Sequence, residues 1–270
     1  MRVQGGFDKE GTVGLRKQNR LLWILVLLFL SYGCTKQVRS TPTTVKKDTS
    51  LEGLLKLYQN RMKAGFGIKA LMKVKTQRPH QGGHSFLASW HSEKDTTLVR
   101  GFNLFGGTLF ELHLQNSTFF LRIPSENRRL EAPLDELDQM AGREIPFASL
   151  ELLEWVKRGG VPHVAESVIP ALEKGDDLFI LYLFTVEQGR ARLQEKVWIE
   201  RSAFWAKKVE LFDRTGLRRG VILLDDYRQV GGHHFPFSIR GETGGETVSL
   251  NFREVSWVPP PQNEPSEKNQ

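Results

Sequence analysis

The run Phe66-Gly-Ile-Lys-Ala-Leu-Met-Lys-Val-Lys75 decides the fold. Phe66, Ile68, Ala70, Met72 and Val74 alternate with Gly67, Lys69, Lys73 and Lys75, a period of two that reads as a half-buried strand. Just ahead the period is helical: Leu51, Leu54, Leu55, Tyr58 and Met62 fall on one face, and the Ser50 hydroxyl can accept from the first free amides. Beyond it, strand-like segments recur at 84–91, 96–102, 108–115, 118–123 and 127–132. A second group falls at 177–187, 191–200, 204–213, 217–228, 235–241 and 246–257. Turn signals separate many of them, among them Asn116-Ser, Asp213-Arg-Thr-Gly, Val230-Gly-Gly-His and Thr243-Gly-Gly-Glu. Such spacing predicts an antiparallel meander.

Between the two groups lies a helical patch, 134–173. Its clearest part begins at Ser149, which can cap a first turn whose positive end suits Glu151. Lys157 and Arg158 suit the negative end, and Gly159 can supply a left-handed stop. Leu150, Leu153 and Val156 form an apolar stripe widened by Leu152 and Trp155. Pro162 and Pro170 break the remainder of the patch, so 161–173 is expected to be a short helix or an ordered loop. The order is helix, six strands, helical insert, six strands. It predicts an α+β, mainly β fold: one highly curved antiparallel sheet with helices over one face. A two-sheet sandwich is the competing architecture, and periodicity does not separate the two.

Leu178-Phe-Ile-Leu-Tyr-Leu-Phe-Thr-Val186 is apolar on both faces, so both are expected to be covered. Aromatics are also dense at Phe102, Phe105, Phe110, Phe119 and Phe120. They either fill the core or line an apolar cavity between sheet and helices. A cavity would suit acyl chains, at about 0.8 kcal/mol per buried methylene. Its candidate lining is Phe102, Phe110, Leu112, Phe119, Leu150, Leu153, Ile180, Tyr182 and Phe184. Asn103-Leu-Phe-Gly-Gly107 stands apart, because Leu104 and Phe105 occupy a turn beside two glycines. The pair either folds back into the core or forms a protruding tip that touches lipid.

At the amino-terminal end, Leu21 to Leu30 are all apolar, too few for a stable span of a ~30 Å hydrocarbon core. Arg2, Lys9, Arg16, Lys17 and Arg20 precede them, against Asp8 and Glu10. A basic segment, a short apolar segment and a small residue at Gly33 read as an export signal. Its ending at Cys34, the one cysteine in the chain, resembles a bacterial lipoprotein signal; an ordinary secretory signal and an uncleaved membrane anchor are the competing readings. The expected organisation is therefore 1–33 signal, 34–50 polar tether from a lipidated Cys34, 51–258 folded domain and 259–270 disordered tail. No cysteine remains for a disulfide, so packing must hold the fold. Of the formal charge of +7, +3 belongs to the signal and a mild +4 to the rest, where Lys and Arg are spread rather than clustered, which argues against nucleic acid as a partner.

Enzyme signatures are weak. His233-His234 is the sole histidine pair, and neighbouring strand residues point to opposite faces, a poor start for a metal site. Asp176-Asp177 and Asp225-Asp226 read as turn or strand-edge carboxylates. There is no phosphate-binding glycine loop and no Gly-x-Ser-x-Gly. The expectation is a non-enzyme with no cofactor other than the covalent lipid on Cys34.

Asn103-Leu-Phe-Gly-Gly-Thr-Leu-Phe-Glu-Leu112 resembles the strand–loop–strand of the outer-membrane lipoprotein receptor family LolB, where an Asn-Pro-Leu-Gly loop opens a strand ending Glu-Leu. Met140-Ala-Gly-Arg-Glu-Ile-Pro-Phe-Ala-Ser-Leu-Glu-Leu-Leu-Glu-Trp-Val-Lys-Arg-Gly159 is similar to that family's Ile-Pro, Ser-Leu, Trp and Gly pattern. The first helix and strand and the closing Gly244-Gly-Glu-Thr-Val-Ser-Leu-Asn-Phe-Arg-Glu-Val-Ser-Trp257 fit as well, whereas 197–216 looks more like the periplasmic carrier LolA. The ordered set covers about 50–258; no single motif is strong. The resemblance implies an incomplete barrel closed by helices and holding lipoprotein acyl groups. It implies lipoprotein cargo, a LolA-like periplasmic carrier and outer-membrane lipid as partners, a monomeric state, and a lipid anchor on the periplasmic face of the outer membrane. Thr35 and Lys36 after Cys34, with no aspartate, agree with that destination under the enteric sorting rule. The family's membrane-touching leucine aligns with Phe105, preceded here by Leu104 where proline is usual.

Overall fold

The computed structural model describes residues 49–64, 67–79, 82–93, 95–137 and 149–258, all inside one compact unit spanning 43–270. The signal, Cys34, the tether up to residue 48, Phe66, the 138–148 part of the helical patch and the 259–270 tail lie outside the described residues. Among the described residues two α-helices, α1 (Leu51–Ala64) and α2 (Leu150–Lys157), accompany thirteen strands. The first six are β1 (Gly67–Arg78), β2 (Gly82–Glu93), β3 (Thr96–Phe102), β4 (Thr108–Gln115), β5 (Thr118–Ile123) and β6 (Arg128–Pro133). After α2 come β7 (Val168–Lys174), β8 (Leu178–Glu187), β9 (Arg190–Glu200) and β10 (Ala206–Phe212). The chain closes with β11 (Arg218–Val230), β12 (His233–Thr243) and β13 (Glu246–Val258).

All thirteen strands form one open, curved antiparallel sheet in the order β6-β5-β4-β3-β2-β1-β13-β12-β11-β10-β9-β8-β7. The sandwich alternative is thereby excluded. Each half is a meander, and the two halves join where β1 pairs with β13, from Gly67 opposite Val258 to Gln77 opposite Thr247. Period-two patterning sets the inner face. Ile68, Ala70, Met72 and Val74 of β1 are buried, as are Phe110 and Leu112 of β4 and Phe235, Phe237 and Ile239 of β12. Helix α1 closes over this face through Leu54 and Tyr58, and α2 through Leu152, Leu153, Trp155 and Val156. Leu152 packs where Gly241 leaves room, 3.4 Å from where a β-carbon would sit.

Local signals explain the edges of these elements. The Ser50 hydroxyl accepts from the Gly53 amide (3.2 Å) and Ser149 from Leu152 (3.2 Å), so both helices are capped as expected. Gly159 stops α2 with φ +62°. The Gly231-Gly232 and Gly244-Gly245 hairpins have positive φ at both positions, which two-residue turns between right-twisted strands require.

Two expectations are corrected. Part of 161–173 is neither helix nor loop, because Val168–Lys174 is β7, an edge strand whose Pro170 has no ladder partner to deprive of a hydrogen bond on its open side. The second meander accordingly has seven strands. Among the described residues, the outer face of β8 also gains no covering layer. Tyr182 stacks on Phe184 (6.3 Å between centroids), while the Lys196 ammonium lies over Tyr182 (5.2 Å) and Trp198 (4.7 Å). Long lysine stems with solvated heads shield the aromatic stripe instead.

Candidate functional site

Because the strands alternate in direction, hairpins cluster at two ends of the sheet. One end, here the distal rim, carries the β1–β2, β3–β4, β5–β6, β8–β9, β10–β11 and β12–β13 connections. The β3–β4 loop there is stapled by its first residue. Asn103 Oδ1 accepts from the amides of Phe105 (2.9 Å) and Gly107 (2.9 Å), while the Asn103 amide donates to the Gly107 carbonyl (2.9 Å). Gly106, at φ +81°, donates to the Asn103 carbonyl (3.1 Å). This bonding presents Leu104 and Phe105 outward, 91 % and 96 % exposed.

The β10–β11 loop, Asp213–Leu217, has the same architecture. Asp213 Oδ1 accepts from the amides of Thr215 (2.8 Å) and Leu217 (3.0 Å), and the Asp213 amide donates to the Leu217 carbonyl (2.9 Å). Gly216, at φ +83°, donates to the Asp213 carbonyl (3.0 Å). Thr215 hydroxyl and loop amides hold the Asp213 carboxyl below its ordinary pKa. Identical backbone bonding therefore carries Asp-Arg-Thr in one hairpin and Asn-Leu-Phe in the other. Loop geometry does not demand an apolar tip, so the greasy pair at 104–105 has another cause.

Two adjoining cavities lie at the opposite end of the sheet, around α1. One, of about 410 Å³, is lined mainly by apolar groups: Leu55, Tyr58, Gln59, Met62, Pro162, His163 and Val164. The second, of about 580 Å³, shares Met62 and His163 and continues past Arg61, Trp205, Tyr227, His234 and Trp257. Each is within the range of ligand sites. Trp205 stacks on Tyr227 (4.8 Å) and meets His234 (5.0 Å), forming an aromatic wall. Arg61 braces that wall by donating to the carbonyls of Phe204 (2.7 Å) and Ala203 (3.0 Å). Burial first, and then the Arg61 charge, push the His234 pKa down; burial and then Arg158 do the same to His163.

The nine sequence-derived lining candidates lie elsewhere. Phe110, Leu112, Phe119 and Leu153 are buried in the packed inner layer, and Leu150 is half-buried at the start of α2. Phe102, Ile180, Tyr182 and Phe184 are half-buried on the outer face, because they alternate with the inward Gly101, Phe179, Leu181 and Leu183. None of the nine lines either cavity. The residues that do, Met62, Trp205, Tyr227 and Trp257 among them, come from a helix, a loop and separate strand regions. Beyond the aromatic type of most of them and the place of Met62 on the apolar face of α1, nothing in the local pattern marks them. His233 and His234 also border the larger cavity, packed on Trp257 and Trp205. Among the described residues no group of three or more His, Cys, Asp or Glu is arranged to hold a metal ion.

No protein-family profile matches this sequence, and no curated protein matches it. Solved structures do match. A domain named as an outer membrane lipoprotein-sorting protein, from Vibrio parahaemolyticus, superposes with a TM-score of 0.55 at 14 % identity, over 79 % of this chain and 93 % of that one. A LolA superfamily protein from Nitrosomonas europaea gives 0.54 at 13 % identity, over 79 % and 96 %. A DUF1329 family protein from Desulfovibrio piger gives 0.54 at 10 % identity, over 76 % and 90 %. At such identities the likeness is one of fold. This chain has the LolA-like fold.

Proposed function

We propose that this chain is a lipid-anchored protein of the cell envelope that takes up lipoprotein acyl chains and helps place them in the outer membrane. The observation that carries the reading is the stapled Leu104–Phe105 tip, apolar where a hairpin of the same bonding carries Arg214 and Thr215. Exposing such a pair to water is offset when it meets hydrocarbon. The two adjoining cavities beside α1 offer space for a chain, at about 0.8 kcal/mol per buried methylene. Tip and cavities lie at opposite ends of the sheet, so lipid would leave the cavities by affinity alone and travel the length of the domain to the bilayer that the tip touches, with no nucleotide, metal or catalytic group. Cys34 would carry the anchor and residues 34–50 the slack that lets the tip reach the inner surface of the outer membrane. The partners on this reading are a LolA-like carrier and its cargo, met by a single copy of this protein.

A transfer assay tests it: carrier loaded with lipoprotein, liposomes, and either the unaltered protein or Phe105→Glu. The variant should deliver cargo several-fold more slowly. Equal delivery contradicts the role of the tip. A second reading, a non-catalytic scaffold lipoprotein, is favoured by Phe110, Leu112, Phe119 and Leu153, which fill the inner layer with the protein's own side chains. Retention of acyl chains separates the two.

A further inference from the structure

Exposed apolar side chains are not scattered over this molecule. Among the described residues, Leu104, Phe105, Leu109, Val186 and Leu217 all lie in, or within two residues of, the distal rim, Ile169 lies in the distal half of edge strand β7 opposite Phe184, and Leu178 alone lies at the other end. Across the six distal connections and the two strand residues on either side of each, every Lys or Arg is an arginine. Four of the five carboxylates there are already engaged: Glu246 holds Arg78 (3.0 Å), Glu187 holds Arg192 (2.9 Å), Glu242 holds Arg240 (2.9 Å), and Asp213 serves its own loop; Glu126 is the fifth. Arg129, Arg190 and Arg214 are exposed and have no carboxylate partner among the described residues. Arg129 also sits directly across the β5–β6 ladder from Arg122, and like charges in that position cost stability. The Glu111 contact (3.4 Å) eases only Arg122. An anion at this edge would relieve the pair.

From this rim we infer that the distal end of the sheet is a docking face for an anionic phospholipid surface. Guanidinium groups of Arg129, Arg190 and Arg214 meet headgroup phosphates through paired N–H bonds, which a planar fork suits better than an ammonium. Phe105, Leu104 and Leu217 reach below them into the acyl boundary. The inference rests on the lipid-facing role proposed for the 103–107 loop, extends it to a whole rim and adds a requirement that the tip alone does not carry: sensitivity to headgroup charge. It also fixes orientation, with the strands standing on the membrane and the α1 cavities at the far end.

The test is co-sedimentation of the compact unit, residues 43–270, with vesicles of phosphatidylcholine alone or with added phosphatidylglycerol. Each arginine near an anionic surface is worth about fivefold in partitioning, so Arg129→Gln/Arg190→Gln/Arg214→Gln should weaken binding to the anionic vesicles on the order of a hundredfold. The loss should shrink as salt rises. Lys69→Gln/Arg253→Gln, both exposed and toward the opposite end of β1 and β13, should bind as the unaltered protein does. A triple variant with undiminished binding, a control pair that loses as much, or an unaltered domain indifferent to headgroup charge overturns the inference. If cargo delivery fails while charge-dependent docking persists, the transfer role falls and the docking face stands.

Discussion

Asn103 and Asp213 accept the same two loop amides yet differ in charge, and that difference sets what each hairpin can touch. Copying the second loop into the first, as Leu104→Arg/Phe105→Thr, should leave stability within about 0.5 kcal/mol, because neither side chain is buried. Denaturant melts check that half; cargo delivery to liposomes, expected to fall, checks the other. Asn103→Ala should instead cost about 1 kcal/mol and speed hydrogen exchange at the Phe105 and Gly107 amides, since both lose their acceptor. The tip was legible in the sequence because Leu-Phe between strands and beside Gly-Gly is locally odd. Its kinship with 213–217 was not, since the two loops share only the bonding role of their first residue and the left-handed glycine.

Elements announced themselves wherever short-range chemistry sets them. Ser149, Glu151, Lys157 and Gly159 bound α2 as their types predict. Ser149→Ala should lower stability by about 1 kcal/mol in urea titration. Gly159→Ala should cost at least as much, because a β-carbon there combines positive φ with a contact 3.0 Å from the Trp257 ring. Strand β7 is hidden from sequence patterning for a physical reason. Pro170 argues against a strand anywhere except a sheet edge, and edge position depends on the whole topology. The exposure of the outer face of β8 is hidden similarly, since Lys196 shields it from the neighbouring strand.

At the scale of the molecule, a curved sheet with helices over one face emerges from counting strands and turns, while the β1–β13 seam and the cavities do not. The seam pairs residues nearly two hundred positions apart, and the cavity walls gather α1, the 200–205 loop and the ends of β11, β12 and β13. No period in the sequence records such gatherings. They do predict a pH response. His163 and His234 both have folded pKa values below the reference of 6.5, from burial and then from the nearby Arg158 and Arg61 charges. Neutral imidazole is thus favoured by folding. The stability it contributes is complete above about 6.5 and is lost as pH falls through the lowered folded values. Urea midpoints measured from neutral pH down to mildly acidic pH should show this decline, and His163→Gln/His234→Gln should flatten it.

The carrier role stands or falls on whether the protein holds lipid at all. Native mass spectrometry of residues 43–270 mixed with a triacylated lipopeptide addresses that question without intermediate steps. The expected species is a complex of one lipopeptide per domain that survives transfer to detergent-free buffer. A domain that stays empty at saturating lipopeptide contradicts the carrier role.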